Sequence, residues 1–326
     1  MTIKEVAELA GVSPAAVSRY MNGGPLSEEK KEAIQKVIEE TGYRPSLAGQ
    51  VLRTGKMNQI GVIVPKINSE AVSKETAGIA KKLEGTPYRM VLGVCALDTE
   101  KELEYLRAMD ENNVAGIILM GTIFTPEHEQ IFKEKKIPVV VTGQDFPNTS
   151  CVFNDDFGAA KDLTEHMINS GRRKLGYIGV SEDDIAVGVE RRRGFLEAVK
   201  AEGLDPDTMP YFKGNFTVAD GAEAVTKVLE TNPDIDGLIC ATDDMALGAM
   251  KQLKILGKRI PEDIGIAGFD NSWAGVITEP QLSTVNLYHI NSGEEAAAML
   301  LELMDQPEAP VKKIKLNYKI IERDSF

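Results

Sequence analysis

Residues with special chemistry are scarce in this sequence. It has 3 cysteines and 3 histidines among 326 residues, and neither set has the spacing of metal ligands. Because the cysteines are scattered and odd in number, they give no disulfide framework and indicate a reducing compartment, the cytoplasm. No apolar run approaches the roughly 18 residues that span a membrane. We therefore expect no metal, no cofactor and no membrane segment.

Catalytic signatures are also missing. The sequence contains no G-x-G-x-x-G, no P-loop, no G-x-S-x-G and no H-E-x-x-H motif, so we expect no enzyme. The opening residues, MTIKEVAELAG, carry acids within the first helical turns, which is not the pattern of a secretory signal peptide. This also argues against a secreted transport-binding protein.

The charge of the chain is unevenly distributed. Its 37 basic and 50 acidic residues give a net charge of −13. Residues 1–58 hold 8 basic and 7 acidic residues, a net of +1, which leaves 29 basic and 43 acidic residues and a net of −14 for the remainder. An acidic body opposes non-specific adhesion to DNA. Any contact with nucleic acid is therefore expected in the first segment.

The first 43 residues predict three short helices. Thr2 and Glu5 have the spacing of a capping box, and Ser13 can cap a second helix. Ser27 can cap a third helix, which Gly42 ends. Two helices joined by a tight turn, with a third behind them, are typical of a helix-turn-helix DNA-binding domain, and a plain three-helix bundle is the alternative.

A weak helical segment follows. Residues 46–54 could form about two helical turns, but so short a helix is marginal in water, and Gly49 weakens it further. We interpret it as a hinge that becomes ordered only on a partner.

From residue 59 onward, apolar strands alternate with amphipathic helices. The predicted strands are 60–64, 90–94, 116–120, 139–142, 175–180, 237–241 and 264–268. The predicted helices are 100–112, 158–170, 191–202, 219–231 and 244–256. This alternation predicts an α/β fold with parallel sheets, and its length favours two lobes. Ligands of such folds bind in the crevice at the carboxyl ends of the strands.

The chain resembles the lactose-repressor (LacI/GalR) family of bacterial transcription regulators along essentially its whole length. The matching segments are IKEVA at 3–7, AGVS at 10–13, VSR at 17–19, Asn22, GYRP at 42–45, LRTG at 52–55, IGVIVP at 60–65, Arg191, GF at 194–195, TDDMALG at 242–248, PEDI at 261–264 and GFDN at 268–271. The resemblance implies a homodimer, a pseudo-palindromic operator, and a two-lobed sensor domain like the periplasmic sugar-binding proteins.

The resemblance also implies a division into domains. It gives a helix-turn-helix domain at 1–45, a hinge helix and linker at 46–58, and an effector-binding domain at 59–326. Such a sensor crosses between its lobes three times, and we expect the crossings near 155–158, 284–287 and 305–311. The first lobe would then comprise 59–156 plus 287–307, and the second 157–285 plus 311–326.

The DNA-contacting residues are also inferred from the resemblance. Arg19 matches a base-facing position, where its fork suits guanine, although it could be a plain surface arginine. Leu52 matches a leucine that enters the minor groove, and its alternative is burial against the sensor domain. Candidates for apolar base contact are Pro14, Ala15 and Ala16. Candidates for phosphate contact are Thr2, Ser13, Ser18, Asn22, Tyr43, Arg53 and Lys56, several of which could instead be caps or packing residues.

The resemblance likewise implies effector-binding residues. Arg191 and Asp270 match positions that hydrogen-bond a ligand, and their alternative is a structural ion pair. Phe216 matches an aromatic that stacks on the ligand, although it could equally belong to the core. The remaining candidates are Ser69, Glu70, Gln144, Asp145, Thr242, Asp243 and Trp273. The sequence departs from the family at Ala71 and Val72, where an aromatic pair is common, so the pocket could be roomier than usual.

These residues predict a transcription regulator, a repressor, that responds to a mono- or disaccharide. Two alternatives share the architecture. One is a regulator that responds to a purine corepressor, and the other is a catabolite regulator that responds to a phosphocarrier protein.

Overall fold

The computed structural model describes residues 1–21, 24–43, 58–112, 114–135 and 137–326. The chain divides into two compact units, an N-terminal unit (Met1–Met57) and a C-terminal unit (Asn58–Phe326). None of the helices in the described ranges is both long and apolar enough to cross a bilayer.

The described part of the N-terminal unit is a bundle of three helices around a small core. The helices are α1 (Ile3–Leu9), α2 (Pro14–Met21) and α3 (Glu28–Thr41). Each helix contributes one fully buried residue to this core, namely Val6, Val17 and Ile34.

The helix ends follow the sequence in most respects. The predicted capping box is confirmed, since the Thr2 amide donates to Glu5 at 2.7 Å and the Glu5 amide donates to the Thr2 hydroxyl at 3.3 Å. The Ser13 hydroxyl accepts a hydrogen bond from the Ala16 amide at 3.2 Å. Ser27 occupies the N-cap of α3, but its side chain makes no cap hydrogen bond, so the prediction of a side-chain cap is wrong there. Gly42 ends α3 in the left-handed conformation, as expected.

The C-terminal unit contains two six-stranded sheets. The first has the order β11-β5-β4-β3-β1-β2, and the second has the order β12-β10-β9-β8-β6-β7. All neighbouring pairs are parallel except β10 with β12. The strands are β1 (Gln59–Val64), β2 (Arg89–Val94), β3 (Gly116–Met120), β4 (Val139–Thr142), β5 (Ser150–Asn154), β6 (Leu175–Gly179), β7 (Tyr211–Lys213), β8 (Gly237–Cys240), β9 (Gly265–Phe269), β10 (Ser283–Asn286), β11 (Lys313–Leu316) and β12 (Lys319–Ile321).

Helices cover both sheets. They are α4 (Glu70–Leu83), α5 (Thr99–Glu111), α6 (Pro126–Glu134), α7 (Asp156–Asn169), α8 (Arg191–Ala201), α9 (Val218–Thr231), α10 (Asp243–Ile255), α11 (Trp273–Ile277) and α12 (His289–Asp305), with a π-helical turn at Ile185–Glu190 and a short 3-10 turn at Pro206–Thr208. The predicted seven strands and five helices are all present, with bounds within two residues of the prediction. Strands of this kind are apolar throughout because helices cover both of their faces.

The chain passes between the two sheets three times, so each sheet with its helices forms a lobe. It leaves the first lobe after β5 and enters the second at α7, and it returns between β10 and α12, as predicted. The third crossing differs from the prediction near 305–311. The proline-rich turn after α12 keeps the chain in the first lobe, where β11 pairs in parallel with β5, Lys313 beside Cys151. The crossing therefore lies at 317–318, between β11 and β12.

Two helices of the first lobe pack unusually closely. A Cβ atom on Gly78 of α4 would lie 2.0 Å from the Ile290 carbonyl oxygen, and one on Gly293 of α12 would lie 2.0 Å from the Glu75 carbonyl oxygen. Only glycine permits this approach of the two backbones. The contact fixes Glu75 against α12, beside the cleft described next.

Candidate functional site

A cleft opens between the two lobes at the carboxyl ends of the parallel strands. It encloses a cavity of about 150 Å³ whose lining comes from both lobes. Met120 and Thr142 end strands of the first sheet, while Thr242 and Asp270 follow strands of the second. This is where open α/β sheets bind ligands, because loops and helix N-termini from several strands converge there.

The cleft brings together six of the ten predicted effector residues. These are Ser69, Gln144, Arg191, Phe216, Thr242 and Asp270. The other four, Glu70, Asp145, Asp243 and Trp273, lie around the cleft without lining it, for reasons given below.

Arg191 is the central cation of the cleft. Its side chain is only 4% exposed, its Nε donates to Asp156 at 2.7 Å, and its Nη1 donates to the Ala241 carbonyl at 2.5 Å. Burial opposes its charge, but the carboxylates of Asp156 and Asp270 outweigh this and raise the pKa of Arg191. The guanidinium is therefore a fixed charged donor whose fork is oriented by two partners before any ligand arrives.

Asp270 is held in an unusual backbone conformation. Its φ of 106° lies in a region that residues other than glycine rarely adopt, and the next residue, Asn271, has a φ of 49°. The Asp270 carboxylate lies 3.2 Å from Nε2 of His289, the first residue of α12 in the opposite lobe. The strain is consistent with a carboxylate placed for binding, since such conformations cluster at functional sites.

A third carboxyl group, Asp184, lines the same side. It precedes the π-helical turn that leads into Arg191, and its side chain accepts a hydrogen bond from the Val187 amide at 2.9 Å. Burial raises the pKa of Asp184 to about 6. Insertions of π-helix are frequent at functional sites, and here the turn places Asp184 and Arg191 in one wall.

Phe216 supplies a flat apolar surface. It has a φ of 66°, and the Lys66 ammonium lies 5.3 Å from the centroid of its ring. Ala71 and Val72 also line the cleft, where the sequence departs from the family pattern. The apolar area is therefore concentrated on one aromatic ring and on small aliphatic side chains.

Two of the lining residues are partly committed to the fold, and a third is not. The Thr242 hydroxyl caps α10 by accepting from the Met245 amide at 3.4 Å. Gln144 donates to the carbonyl groups of Gly121 and Thr122. Ser69 is the N-cap residue of α4, but its hydroxyl makes no cap hydrogen bond and so remains available to the cleft.

A polar clasp joins the lobes at the rim of the cleft. The Lys74 ammonium donates to the carbonyl oxygens of Asn271 at 2.8 Å and Asp270 at 3.2 Å, and it pairs with Glu70 at 2.8 Å. The Glu70 carboxylate in turn accepts from the Trp273 amide at 3.1 Å. Glu70 and the Trp273 backbone therefore join the two lobes. The Trp273 side chain is 66% exposed and lies outside the cavity.

We expect the clasp to stabilise the closed arrangement of the lobes. Lys74→Met removes a charged, partly exposed donor from the carbonyl groups of Asp270 and Asn271. This should lower the free energy of unfolding by about 1 kcal/mol. The melting temperature should fall by about 2–4 °C, and the emission of Trp273 should shift as its surroundings open. Lys82→Met, which replaces an exposed lysine of the same helix, is the control. An unchanged melting temperature and emission in Lys74→Met would show that the clasp contributes nothing.

Asp243 lies beneath the cleft and supports it. It is 1% exposed, and its carboxylate accepts from the Ser272 amide and the Thr284 hydroxyl, both at 2.7 Å. Burial, with a contribution from Asp270, raises the pKa of Asp243 to about 8. In this position Asp243 supports the loop at 270–273, and its side chain does not line the cavity.

The raised pKa of Asp243 predicts a pH-dependent stability. The unfolded carboxyl has its ordinary pKa of 3.8, whereas burial keeps the folded one protonated up to about pH 8. Its contribution is thus complete below pH 4 and is lost as the pH rises to 8, by at most about 1.4 kcal/mol per pH unit. As the pH rises from 5 to 8.5, the melting temperature of the wild type should therefore fall relative to that of Asp243→Asn.

Asp263 offers a control of opposite sign. Hydrogen bonds from Arg259 lower the pKa of Asp263 to about 2, so its contribution is complete above pH 4. Asp263→Asn should therefore differ from the wild type by a constant amount between pH 5 and pH 8.5. If the Asp243→Asn difference is also constant over that range, the buried carboxyl does not titrate as described.

Asp145 turns away from the cleft. Its carboxylate pairs with the Lys313 ammonium, which also donates to the Phe146 carbonyl. Strand β11 carries Lys313 and pairs within the first sheet, because the third lobe crossing comes later in the chain than predicted. The predicted boundaries placed Lys313 in the second lobe, so they did not indicate that it pairs with Asp145.

Several polar residues of the cleft were not predicted. They are Glu75, Thr142, Asn154, Asp156, Asp184, Asp244, His289 and Ser292. Glu75 had a signal in the sequence, since it lies four residues before Ile79 on the buried face of α4, where an apolar residue is expected. Thr142 and Asn154 end strands of one sheet, which is the other general signal for a site.

In the N-terminal unit, one face of α2 is exposed. Pro14, Ala15 and Arg19 are exposed, and Ala15 and Arg19 are four residues apart and so share a face. Ser18 is half-buried beside them. Ala16 is 7% exposed and belongs to the interior, so it has almost no surface for a base contact.

The predicted phosphate contacts lie at the edges of this face. Thr2 and Ser13 are exposed and also cap helices, whereas Tyr43 is half-buried against the core of the bundle. A cap residue can bind phosphate as well, because the helix N-terminus presents free amides. Asn22, Leu52, Arg53 and Lys56, with the hinge at 46–54, lie outside the described residues.

No group of three or more potential ligand side chains with the arrangement of a metal site occurs in the described part of the chain. Its three cysteines are all free and buried.

The fold and the cleft define a class of protein, a helix-turn-helix domain followed by a two-lobed ligand-binding unit. Residues 2–46 match the family described as bacterial regulatory proteins, lacI family, and residues 164–326 match the periplasmic binding protein-like domain. The chain belongs to the lacI family of bacterial regulatory proteins. It is therefore a DNA-binding transcription regulator.

Individual relatives agree along the whole length. The HTH-type transcriptional regulator RegA of Clostridium saccharobutylicum is 30% identical over 99% of this chain and 98% of its own. The sucrose operon repressor of Staphylococcus xylosus is 28% identical over 93% of each chain. The solved structure of a transcriptional regulator CelR-cellobiose complex is 27% identical, covers 100% of both chains and gives a TM-score of 0.77.

Proposed function

We propose that this protein is a cytoplasmic repressor that binds a pseudo-palindromic operator as a homodimer and is released by a mono- or disaccharide held between the lobes. In this proposal the cleft senses its ligand and does not transform it. The sugar stabilises one arrangement of the lobes, and that arrangement no longer supports operator binding.

The observation that carries the sugar assignment is the composition of the cleft. A buried, oriented guanidinium at Arg191 donates hydrogen bonds, the carboxylates of Asp184 and Asp270 accept them, and Phe216 offers a flat apolar face. A sugar ring has hydroxyls that both donate and accept, and it has a C–H face that packs on an aromatic ring. A purine would be better served by two aromatic faces, and the cleft has Ala71 and Val72 where a second could stand.

The relatives support the same ligand class. Two of them carry names that refer to disaccharides, a sucrose operon repressor and a regulator in complex with cellobiose. Both span nearly the full length of this chain, so the sensor unit is included in the likeness.

For DNA, we assign base reading to the exposed face of α2. Arg19 would contact a guanine through its fork, and Pro14 and Ala15 would make apolar contacts with thymine methyl groups. Leu52 would enter the minor groove from the hinge, with Arg53 and Lys56 on adjacent phosphates. Ala16 has no role in this assignment because it is buried.

A ligand panel tests the proposal. The purified full chain is heated with ribose, glucose, sucrose, cellobiose, hypoxanthine and guanine, and its melting temperature is recorded. At 100 times the Kd, a ligand stabilises the folded state by about 2.7 kcal/mol, which is readily measured. We expect a sugar to raise the melting temperature and to change the emission of Trp273, the sole tryptophan, through the clasp. A shift with hypoxanthine or guanine and none with any sugar would replace the sugar assignment by a purine one.

A further inference from the structure

We infer that the first lobe contributes a separate acceptor subsite, formed by Glu75, Thr142 and Asn154, which receives hydroxyl groups of an uncharged sugar and rejects phosphorylated or acidic sugars. This inference rests on the proposed function, since it concerns the same cleft, and it specifies the ligand class further.

Glu75 is a buried acid with unused hydrogen-bonding capacity. It is 8% exposed, it lines the cavity, and its position is fixed by the close contact of α4 with α12. Its carboxylate accepts from the Ser292 hydroxyl at 3.3 Å, and burial raises its pKa against the opposing effects of Thr142 and His289. A carboxyl group has about four acceptor positions, and the Ser292 hydroxyl occupies one of those of Glu75.

Two further oxygen atoms of the cleft lack hydrogen-bond partners among the described residues. They are the Thr142 hydroxyl oxygen and Oδ1 of Asn154, both buried atoms of cleft-lining side chains. The Thr142 hydroxyl lies near enough to lower the pKa of Glu75, which burial raises, but it makes no hydrogen bond of normal geometry. Buried polar atoms in native proteins almost always find partners, so these two oxygens suit a ligand that donates to them.

The two strands that carry these residues are adjacent. Thr142 of β4 pairs with Val152 of β5, and Asn154 follows two residues later on the same face of the sheet. Thr142 and Asn154 therefore lie near each other at the carboxyl ends of β4 and β5, and Glu75 comes from α4, which packs against α12, the helix over these strands. Neighbouring acceptors of this kind match the neighbouring hydroxyl groups of a sugar ring.

The charge of the cleft excludes anions. Five acids line it, Glu75, Asp156, Asp184, Asp244 and Asp270. Its permanent cations are already engaged, because Arg191 pairs with Asp156 and Lys66 lies over Phe216 and near its carbonyl oxygen at 3.5 Å. A phosphate or carboxylate on the ligand would lie among these five acidic side chains, with Arg191 already paired to Asp156.

Matched ligand pairs and two variants test the subsite. Binding of ribose with ribose 5-phosphate, glucose with glucose 6-phosphate, glucose with glucuronate, and sucrose with sucrose 6-phosphate is measured by calorimetry on the full-length protein. We expect the neutral member of at least one pair to bind and its anionic partner to bind at least about tenfold more weakly. Glu75→Gln should weaken the neutral sugar and narrow that difference, while Glu104→Gln, an exposed acid of α5, should do neither.

Thr142→Val separates ligand recognition from folding. The substitution removes a hydroxyl that makes no hydrogen bond of normal geometry among the described residues, so the ligand-free melting temperature should stay constant or rise. The affinity for the neutral sugar should nevertheless fall about tenfold. If Thr142 had only a structural role, the substitution would change the ligand-free melting temperature and leave the affinity for the neutral sugar unchanged.

The outcomes distinguish this inference from the function on which it rests. Equal affinity for a neutral sugar and its phosphate overturns the subsite and leaves a sugar-responsive repressor. Unchanged neutral-sugar affinity in both Glu75→Gln and Thr142→Val also overturns the subsite alone. Binding of purines, with no sugar bound in any pair, overturns the proposed function and the subsite with it.

Discussion

The Arg191→Met variant is expected to lose about 3–5 kcal/mol of stability and all response to the cleft ligand. Removing one member of a buried ion pair leaves the other charge uncompensated, and here Asp156 would remain buried without its partner. Burial raises the pKa of Asp156 in the wild type, with Arg191 opposing it, so Asp156 in the variant should take up a proton and titrate at a still higher pH. Thermal and denaturant unfolding of the full-length protein measures the loss.

A double variant separates the two roles of Arg191. In Arg191→Met with Asp156→Leu, both buried charges are gone, and apolar replacements of buried ion pairs are often neutral or stabilising. Stability should therefore recover largely, while ligand binding should not, because the oriented donor is absent. Recovery of ligand binding in the double variant would show that Arg191 is only a structural ion-pair residue.

Arg19→Ala should weaken operator binding by about 1–3 kcal/mol and relax the preference at one base pair in each half-site. The reason is that an arginine fork reads guanine through two hydrogen bonds, and Arg19 is exposed on the outer face of α2. Operators are selected from a random duplex library with the wild type and with the variant, and the two sequence preferences are compared.

Lys36→Ala is the matched control for Arg19. It removes an exposed cation from α3, outside the predicted recognition face, and should change neither the preference nor the ligand response. If the wild type and Arg19→Ala select identical operator sequences, Arg19 is an exposed surface residue that does not read a base.

The elements that the sequence predicts well are those whose pattern is set by burial on two sides. Strands such as β3 and β4 are continuous apolar runs, and their predicted bounds coincide with the observed ones. Five strands were missed, and three of them, β7, β11 and β12, lie at sheet edges, where one side is unpaired and the segments are short or alternating, such as KIKL. The other two, β5 and β10, lie inside the sheets, next to β11 and β12. An edge strand is defined by the neighbour that it pairs with, which its own sequence does not contain.

The third lobe crossing illustrates the same limit. The resemblance placed this crossing near 305–311, directly after α12. The chain instead returns to its own sheet, because β11 finds hydrogen-bond partners along the open edge of β5. The choice between these paths depends on contacts between residues more than 150 positions apart.

The site divides along similar lines. Arg191, Phe216 and Asp270 were placed by their resemblance to a family, and all three line the cleft. Glu75 and Thr142 acquire their chemistry only from burial and from their neighbours, because the same residue types on a solvated surface would be ordinary. The clasp between Lys74 and the loop at Asp270 joins lobes that are distant in sequence, so no local pattern indicates it.

A single titration tests whether a sugar in the cleft weakens operator binding. A fluorescent operator duplex, selected with the wild type, is held at half-saturation and titrated with the neutral sugar that gives the largest thermal shift, while Trp273 emission reports occupancy of the cleft. We expect operator affinity to fall by about 5- to 150-fold as the cleft fills, which corresponds to a coupling of about 1–3 kcal/mol. Unchanged operator affinity when the emission shows that the cleft is saturated would contradict it.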